Sequence, residues 1–477
     1  MGEQYIMDIN DKLHEECGVF GIVERGNGKD PAFDVYAALF ALQHRGQHSA
    51  GIAVTDGAEM RYKKGDGLVG EVFDQDVLET LTGDMAIGHV RYASQLGTSG
   101  VNAQPIIVRH KDHNLALAFN GCLTNAARLR TEIESRGGIF QTTGDAEIIL
   151  YTIVRELLRT RNMEEALLRV MGELEGAYSI VLLTEDKLAA LRDPRGFRPL
   201  CMGTLGESVV VASESCALDA IGAVFWRDIR PGEVVVIDRE HTHAFDSGLK
   251  PPSQALCVFE YIYFARPDSV IDGLSVELAR QAAGRYLAGM EGEDALHGPD
   301  SVVIGAPDSG LSAALGYAQA SGLPYATGLV KNRYVGRTFI QSSQEHRERS
   351  VRLKLNAMHT VVAGKRVIIV DDSIVRGTTI GRIVKTLREA GAREVHLRIS
   401  SPPFLHPCYF GTDIPRRSAL IANRLTREEM RETFGLDSLR YLSLEDLRAV
   451  AGGASCGPCE ACFTGEYPVP IVKEEKE

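Results

Sequence analysis

The stretch VIIVDDSIVRGTT, residues 367–379, constrains the fold more than any other part of the chain. Four successive apolar residues read as a short strand of the buried kind. The strand ends on two adjacent carboxylates, Asp371 and Asp372, and a loop through Ser373, Arg376 and Gly377 leads to Thr378 and Thr379. Beyond them Ile380, Ile383, Val384 and Leu387 stand at i, i+3, i+4 and i+7, which is one face of a helix. Strand, loop and helix with acids at the strand's carboxyl end make a unit of an open parallel α/β sheet, whose ligands bind at that edge. The loop N–H groups and the helix N-terminus form an anion cradle, to which both threonine hydroxyls add donors. Paired carboxylates suit the two hydroxyls of a ribose, and the cradle suits a 5-phosphate. There is no GxxxxGK[ST], so the loop is not a Walker A loop.

The flanking sequence repeats this rhythm. SVVIG (301–305) predicts a strand, DSGLSAALGYAQASG (308–322) a helix, and EVHLRIS (394–400) a further strand. GAPDSG (305–310) ends a strand and opens a helix, so Asp308, Ser309 and Gly310 stand where a diphosphate would meet helix N–H groups. Between these elements runs a long basic segment, 331–354, with Lys331, Arg333, Arg337, Arg347, Arg349, Arg352 and Lys354. Taken alone it would be a solvated surface loop.

Residues 17 to about 250 have a different texture. CGVFGIV, AGIAVT, MAIGHVRYA, NLALAFNG, YSIVLLT and EVVVID read as strands bounded by Gly, Asp and Asn. PAFDVYAALFALQ and DAEIILYTIVRELLRT read as helices. Strands paired with one another and covered by helices predict a layered α+β domain. Residues 241–254, HTHAFDSGLKPPSQ, read as a linker. The expected division is 1–16 leader, 17–250 first domain, 251–470 second domain, and 471–477 a disordered tail.

A chain of 477 residues accommodates about two to four domains. Its net charge of −12 argues against nucleic acid or an anionic membrane as the main partner. The first sixteen residues lack the basic region and apolar core of a secretory signal, and no run is long enough to span a bilayer, so the cytoplasm is expected. In that compartment nine cysteines are not a disulfide framework. Cys122, Cys201 and Cys216 read as buried structural thiols. CGPCEAC (456–462) holds two overlapping CxxC pairs, which alone are compatible with zinc, a redox pair or a cluster.

VIIVDDSIVRGTT resembles the phosphoribosyl pyrophosphate motif of the type I phosphoribosyltransferases. The resemblance implies that Asp371, Asp372, Ser373, Arg376, Gly377, Thr378 and Thr379 bind that substrate. Asp308, Ser309, Gly310, Lys331 and Arg333 would complete its site, with Mg²⁺ near Ser309, Asp371 and Asp372. The basic segment resembles the loop that closes over substrate in this fold and excludes water.

Cys17 opens the first strand directly behind the leader. A thiolate nucleophile needs a base, and no Cys-His pattern lies nearby. Removing residues 1–16 would free the α-amine of Cys17, whose reference pKa of about 7.7–8.0 suits a general base. LQHRGQHSAGIA (42–53), GHVRYAS (88–94), Asn120-Gly121 and TTGDAE (142–147) resemble the class II glutamine amidotransferases, which use an N-terminal cysteine. By that resemblance Cys17 is the nucleophile, Arg91 holds the glutamine carboxylate, Asp145 takes its ammonium, and Asn120 and Gly121 form the oxyanion hole. His48 departs from the acidic or small residue common there and is assigned no role.

Residues 17 to about 470 resemble the glutamine phosphoribosylpyrophosphate amidotransferase family. The resemblance implies an αββα N-terminal nucleophile domain followed by an α/β phosphoribosyltransferase domain with a mainly parallel sheet. It implies transfer of the glutamine amide nitrogen to C1 of 5-phosphoribosyl 1-diphosphate, giving 5-phosphoribosylamine, glutamate and diphosphate. A homotetramer inhibited by purine nucleotides is also expected. The ending CxACFTGxYP, with Cys257 and Cys408, resembles the [4Fe–4S] form of the family, whose ligands here would be Cys257, Cys408, Cys459 and Cys462, leaving Cys456 spare. Competing readings are a salvage enzyme with an inert front half, a noncatalytic sensor, and an amidase joined to a sugar-phosphate isomerase.

Overall fold

The computed structural model describes residues 17–26, 30–92, 100–110, 114–290, 296, 298–332, 355–414 and 416–471. The expected leader, most of the basic segment with Arg333, and residues 472–477 lie outside them.

The first half is built on β1 (Gly18–Val23), β2 (Ser49–Thr55), β3 (Met60–Asp66), β4 (Met85–Arg91), β5 (Ile106–Arg109), β6 (Asn114–Leu123), β7 (Gly176–Leu183), β8 (Leu188–Arg192), β9 (Cys201–Leu205), β10 (Ser208–Ala212), β11 (Val224–Asp228), β12 (Glu233–Ile237) and β13 (Thr242–Asp246). They form two antiparallel sheets, ordered β11-β9-β10-β1-β4-β2-β3 and β13-β12-β8-β7-β6-β5. Strand alternation separates the layers. Val19 and Val23 of β1 face Ala116, Ala118, Val181 and Leu183 of the second sheet in a largely apolar interlayer. Phe20 and Ile22 point the other way, onto helix Ala32–Ala41 through Val35, Ala38 and Leu39. The second sheet buries its outer face under helices Asp145–Thr160 and Met163–Glu173 through Ile149, Ile153, Leu167 and Val170. Helix, sheet, sheet, helix is the layering expected from the sequence.

Helix Asp145–Thr160 matches the predicted segment residue for residue, because its 3.6 period runs unbroken for four turns. The linker prediction needs correction. Thr242–Asp246 pairs antiparallel with Glu233–Ile237 as the edge strand of the second sheet. His243 and Ala244 are exposed and Phe245 is half-buried against the core, as on an edge strand covered on one side only. Cys201 and Cys216 are buried as expected, but Cys122 is half-exposed at the end of β6.

The second half carries a parallel sheet in the order β14 (Ser301–Gly305), β15 (Arg366–Asp371), β16 (Glu394–Ile399) and β17 (Ser438–Tyr441). Val303, Ile368 and Val370 meet helices Val276–Gly289 and Leu311–Ser321 on one face. Val302, Ile304, Val367 and Ile369 meet Ile380, Ile383 and Val384 of helix Thr378–Glu389 on the other. Burial on both faces explains the unbroken apolar strands. Among the described residues no helix is long and apolar enough to cross a membrane.

Buried ion pairs join the halves. Arg192 forks onto Asp272, with both bonds at 2.7 Å. Arg45 donates to Glu214 at 2.6 Å and to Glu260 at 2.8 and 2.9 Å. Burial alone would raise the Glu214 carboxyl, but His44 and Arg45 hold it well below the usual range. Glu214 also accepts from Ser269 Oγ at 2.6 Å and from the Arg266 N–H at 2.9 Å, so both halves share one carboxylate.

Candidate active sites

The first candidate site lies at one end of the two-sheet layer. Gly18 pairs with Val90 and Ser49 with Arg91, so Cys17 stands one step further along the ladder, level with Arg91. Arg239–Asp84 and Arg25–Asp238 bonds tie the opposite end of the two sheets. The Cys17 end of the first sheet therefore faces the Gly121 end of β6. Cys17 is half-exposed, and its carbonyl accepts from Arg45 Nε at 3.2 Å.

β6 leaves this end of the layer open. Its partner β5 begins only at Ile106, opposite Leu117, and among the described residues no strand lies beside the edge of β6 beyond that point. In an antiparallel strand residues i and i+2 direct their N–H groups to the same side. The Phe119 N–H, facing the open side, is taken by Gln104 Oε1 at 2.7 Å. The Leu123 N–H, on the same side, is taken by Asp145 Oδ2 at 2.8 Å. Between them the Gly121 N–H points at the same open edge, while register with β7 continues unbroken from Ala116 to Leu123.

Asn120 is fully buried, and neither atom of its amide has a partner among the described residues. Arg91 Nη1 is likewise buried without a partner. Buried polar atoms are seldom left unpaired in folded proteins. A group that brings a carboxylate to Arg91 and a developing negative oxygen to Asn120 would satisfy both. Asp145 stands in the first turn of its helix, where an acid is favoured. Burial raises its pKa, and the Leu123 N–H partly offsets this. The loop before it is held by Glu147, which accepts from Thr142 N–H and Thr142 Oγ, both at 2.7 Å.

Gly121 has φ +143°, and a Cβ there would lie 2.0 Å from the Ala177 carbonyl oxygen. Gly121→Ala is expected to cost about 2–4 kcal/mol of stability, since backbone cannot yield to a methyl group. Thermal unfolding checks this; an unchanged midpoint would contradict the close approach.

The second site is the carboxyl edge of β14 and β15. Asp371 and Asp372 are each 1% exposed. Asp372 accepts from Ser309 Oγ at 2.5 Å and from Ser373 Oγ, and its own N–H bonds Asp371 Oδ1 at 3.0 Å. The sequence-distant GAPDSG turn and the DDS turn are thus one site. Gly377, at φ +88°, caps helix Thr378–Glu389, and a Cβ would meet Phe434 Cζ at 2.5 Å. Arg376 and Thr378 are exposed and Thr379 half-exposed around the cradle. Gly310 precedes helix Leu311–Ser321, and Lys331 Nζ donates to Asp308 at 2.9 Å on the surface.

The third cluster is the set of thiols. Cys257 and Cys459 face each other in a short parallel ladder. Cys462 sits in the following turn of helix, and its carbonyl accepts from the Leu405 and His406 N–H groups, which brings in the loop of Cys408. Phe410, Tyr467 and Phe197 pack around Cys408 and Cys459. Burial pushes the Cys459 thiol up to about 12, and Cys462 is raised well above its usual value, first by burial and then by Cys459, Cys408 and Cys257. Cys456 points elsewhere, donating to the Arg195 carbonyl at 3.5 Å. Among the described residues no three His, Cys, Asp or Glu side chains close into a ready-made metal-binding group. The donor chemistry still suits the expected groups: four neighbouring sulfurs for iron, and hard oxygens of Asp371, Asp372 and Ser309 beside a diphosphate for Mg²⁺.

Sequence reasoning gave no role to Arg45, Gln104 or Glu147. Arg45 carried one signal, a charged residue inside LQHRGQ between apolar segments, but its partner Glu260 is 215 positions away.

A glutamine amidotransferase domain family matches residues 89–220, and a phosphoribosyl transferase domain family matches residues 277–400. The chain is 47% identical over 469 residues to an amidophosphoribosyltransferase of Bacillus subtilis, covering 97% of this chain and 96% of the relative. It is 48% identical over 463 residues to one of Archaeoglobus fulgidus, covering 97% and 100%. A solved allosteric regulatory enzyme of purine biosynthesis superposes with a TM-score of 0.89 at 45% identity, covering 96% of this chain and 97% of the other. Glutamine phosphoribosylpyrophosphate amidotransferase from Bacillus subtilis, complexed with ADP and GMP, superposes with a TM-score of 0.88 at 46% identity, covering 96% and 98%.

Proposed function

Since this chain belongs to the amidophosphoribosyltransferase family, we infer that the end of the two-sheet layer hydrolyses glutamine and that the Asp371-Asp372 edge aminates the sugar. The enzyme transfers the glutamine amide nitrogen to C1 of 5-phosphoribosyl 1-diphosphate, the first step of purine biosynthesis. The observation that carries the assignment of residues is the buried, unpartnered Asn120 amide beside the open edge of β6, at the end of the layer where Cys17 stands.

Arg91 grips the glutamine carboxylate, for which a guanidinium fork is matched, and Asp145 takes the ammonium. The Cys17 sulfur attacks the amide carbon, and its thiol proton passes to the cysteine's own α-amine. Negative charge gathers on the amide oxygen, where the Asn120 side chain and the Gly121 N–H meet it. The α-amine returns the proton to the departing nitrogen as the C–N bond breaks, leaving a thioester and ammonia. Water then attacks the thioester, releasing glutamate and restoring Cys17. Removal of residues 1–16 is required for this base to exist. Arg45 fixes the Cys17 carbonyl and so the direction of the sulfur.

In the second half Asp371 and Asp372 hold the ribose hydroxyls. The loop from Ser373 to Thr379, with Arg376 and Gly377, cradles the 5-phosphate. Asp308, Ser309, Gly310 and Lys331 face the diphosphate, and Arg333, outside the described residues, is proposed to bind it as well. Ammonia forms the C1–N bond as the C1–O bond breaks; diphosphate takes the electron pair, and the new ammonium loses a proton. Mg²⁺, held near Ser309, Asp371 and Asp372, would neutralise charge on the leaving diphosphate. Cys257, Cys408, Cys459 and Cys462 would hold a [4Fe–4S] cluster that clips the C-terminal segment to both halves, with no part in either reaction. We take 17–250 and 251–470 as the two domains, the cytoplasm as the location and a homotetramer as the assembly. Purine nucleotides are proposed as inhibitors, in keeping with the ADP and GMP of the solved relative.

The test combines two measurements on purified enzyme. Diphosphate release is expected to depend on glutamine, and intact mass to give a chain beginning at Cys17 with bound iron and sulfide. A fully active chain that begins at Met1 would overturn the assignment of the base, and a colourless, iron-free active enzyme would overturn the cluster.

A further inference from the structure

His89 is completely buried between the two sheets, and the mechanism above makes no use of it. It stands on β4 two residues before Arg91, opposite Val19 of β1 and Gly51 of β2. Its Nε2 lies 3.0 Å from the Phe119 carbonyl oxygen, across the interlayer on β6. A carbonyl only accepts, so Nε2 carries the proton and Nδ1 does not. Nδ1 is buried and meets no partner among the described residues. Burial pushes the imidazole down to about 3, although the Phe119 carbonyl favours the protonated form. The ring is therefore neutral at every pH at which the enzyme would work.

What this donor replaces decides its role. Phe119 lies on the stretch of β6 that β5 leaves uncovered. A full-length neighbour would take both its N–H and its C=O. Here Gln104 Oε1 takes the N–H at 2.7 Å and His89 Nε2 takes the C=O at 3.0 Å. Two side chains do the work of a missing strand at that one residue, and no described strand runs along the same edge beside the next two residues, Asn120 and Gly121. Without the strut, the Phe119 carbonyl would be a buried acceptor with no donor, and the backbone leading to Asn120 would turn to find one.

We propose that His89 is a positioning residue for glutamine hydrolysis, acting through the Phe119 carbonyl to aim the Asn120 amide and the Gly121 N–H at the developing oxyanion. It acts on the transition state through the backbone and does not touch glutamine. This rests on the assignment of Asn120 and Gly121 to the oxyanion hole.

The experiment compares His89→Leu, His89→Gln and Asn120→Ala in the full-length enzyme. Leucine keeps bulk and loses the donor; the glutamine side chain places an N–H close to the position of Nε2. In His89→Leu the kcat for glutamine hydrolysis is expected to fall about 10- to 100-fold, the scale of a displaced oxyanion donor. The KM for glutamine and the ammonia-dependent rate should stay within about twofold, because ground-state binding and the second site are untouched. His89→Gln should recover most of the loss. A His89→Leu enzyme with wild-type kcat overturns the proposal. So does a parallel loss of ammonia-dependent activity, or a failure of the Gln variant to recover any of the kcat, which would mark a packing residue. Asn120→Ala separates the underlying assignment: if it hydrolyses glutamine at the wild-type rate, the oxyanion hole lies elsewhere whatever His89 does.

Discussion

Cys17→Ala, expressed so that its N-terminus matches the processed enzyme, is expected to lose glutamine-dependent product formation by about 10⁴-fold or more, the scale of deleting a covalent nucleophile. With ammonia in place of glutamine, the same variant should work at close to the wild-type rate. The asymmetry follows from the architecture. Cys17 belongs to the two-sheet layer, and Arg45, which bonds its carbonyl, reaches Glu260 of the second half. Removing the sulfur leaves Arg45, Glu214 and Glu260 paired as before. Loss of both activities together would mean that the thiol also supports the second site, and the division of labour would fail.

Asp372→Asn should show the opposite selectivity. The two carboxylate oxygens of Asp372 accept from Ser309 and Ser373 hydroxyls, so this side chain joins the two turns of the phosphoribosyl site. An amide of the same shape turns one acceptor into a donor and removes a charge beside the proposed Mg²⁺ and sugar hydroxyls. Product formation from glutamine and from ammonia should fall together, by about 10²- to 10³-fold, because the reacting C1 loses its orientation. Steady-state rates with each nitrogen donor measure this. An Asp372→Asn enzyme that still used ammonia normally would remove the carboxylate pair from the reaction.

Much of this molecule is legible in its sequence because much of it is locally determined. The strand, acid pair and helix of 366–389 are written consecutively, and the helix after Asp145 declares itself by period alone. What stays hidden is set by distant partners. Met60–Asp66, Val224–Asp228 and Thr242–Asp246 are outermost strands whose composition is mixed because one side is uncovered, so their pairing cannot be read from alternation. The chain 241–254 looked like a linker for this reason. The residues proposed as nucleophile and sugar-binding acids stand in motifs. The grip of Arg45 on Glu260, and of His89 on Phe119, does not, because each joins segments with no local relation. Cys122 shows the limit from the other side: its apolar neighbours suggested burial, but it follows Gly121 at the mouth of the site.

The short β5 has a bearing on how this domain tolerates change in length. If the segment from Gly100 to Ile106 were rebuilt so that β5 started four or five residues earlier, its backbone would lie along β6 and saturate the Gly121 N–H. Such a protein would gain ladder bonds and melt later, yet would be silent toward glutamine. If Asn120 and Gly121 form the oxyanion hole, evolution of this region is bounded on the side of greater order: the second sheet must stop zipping a few residues short.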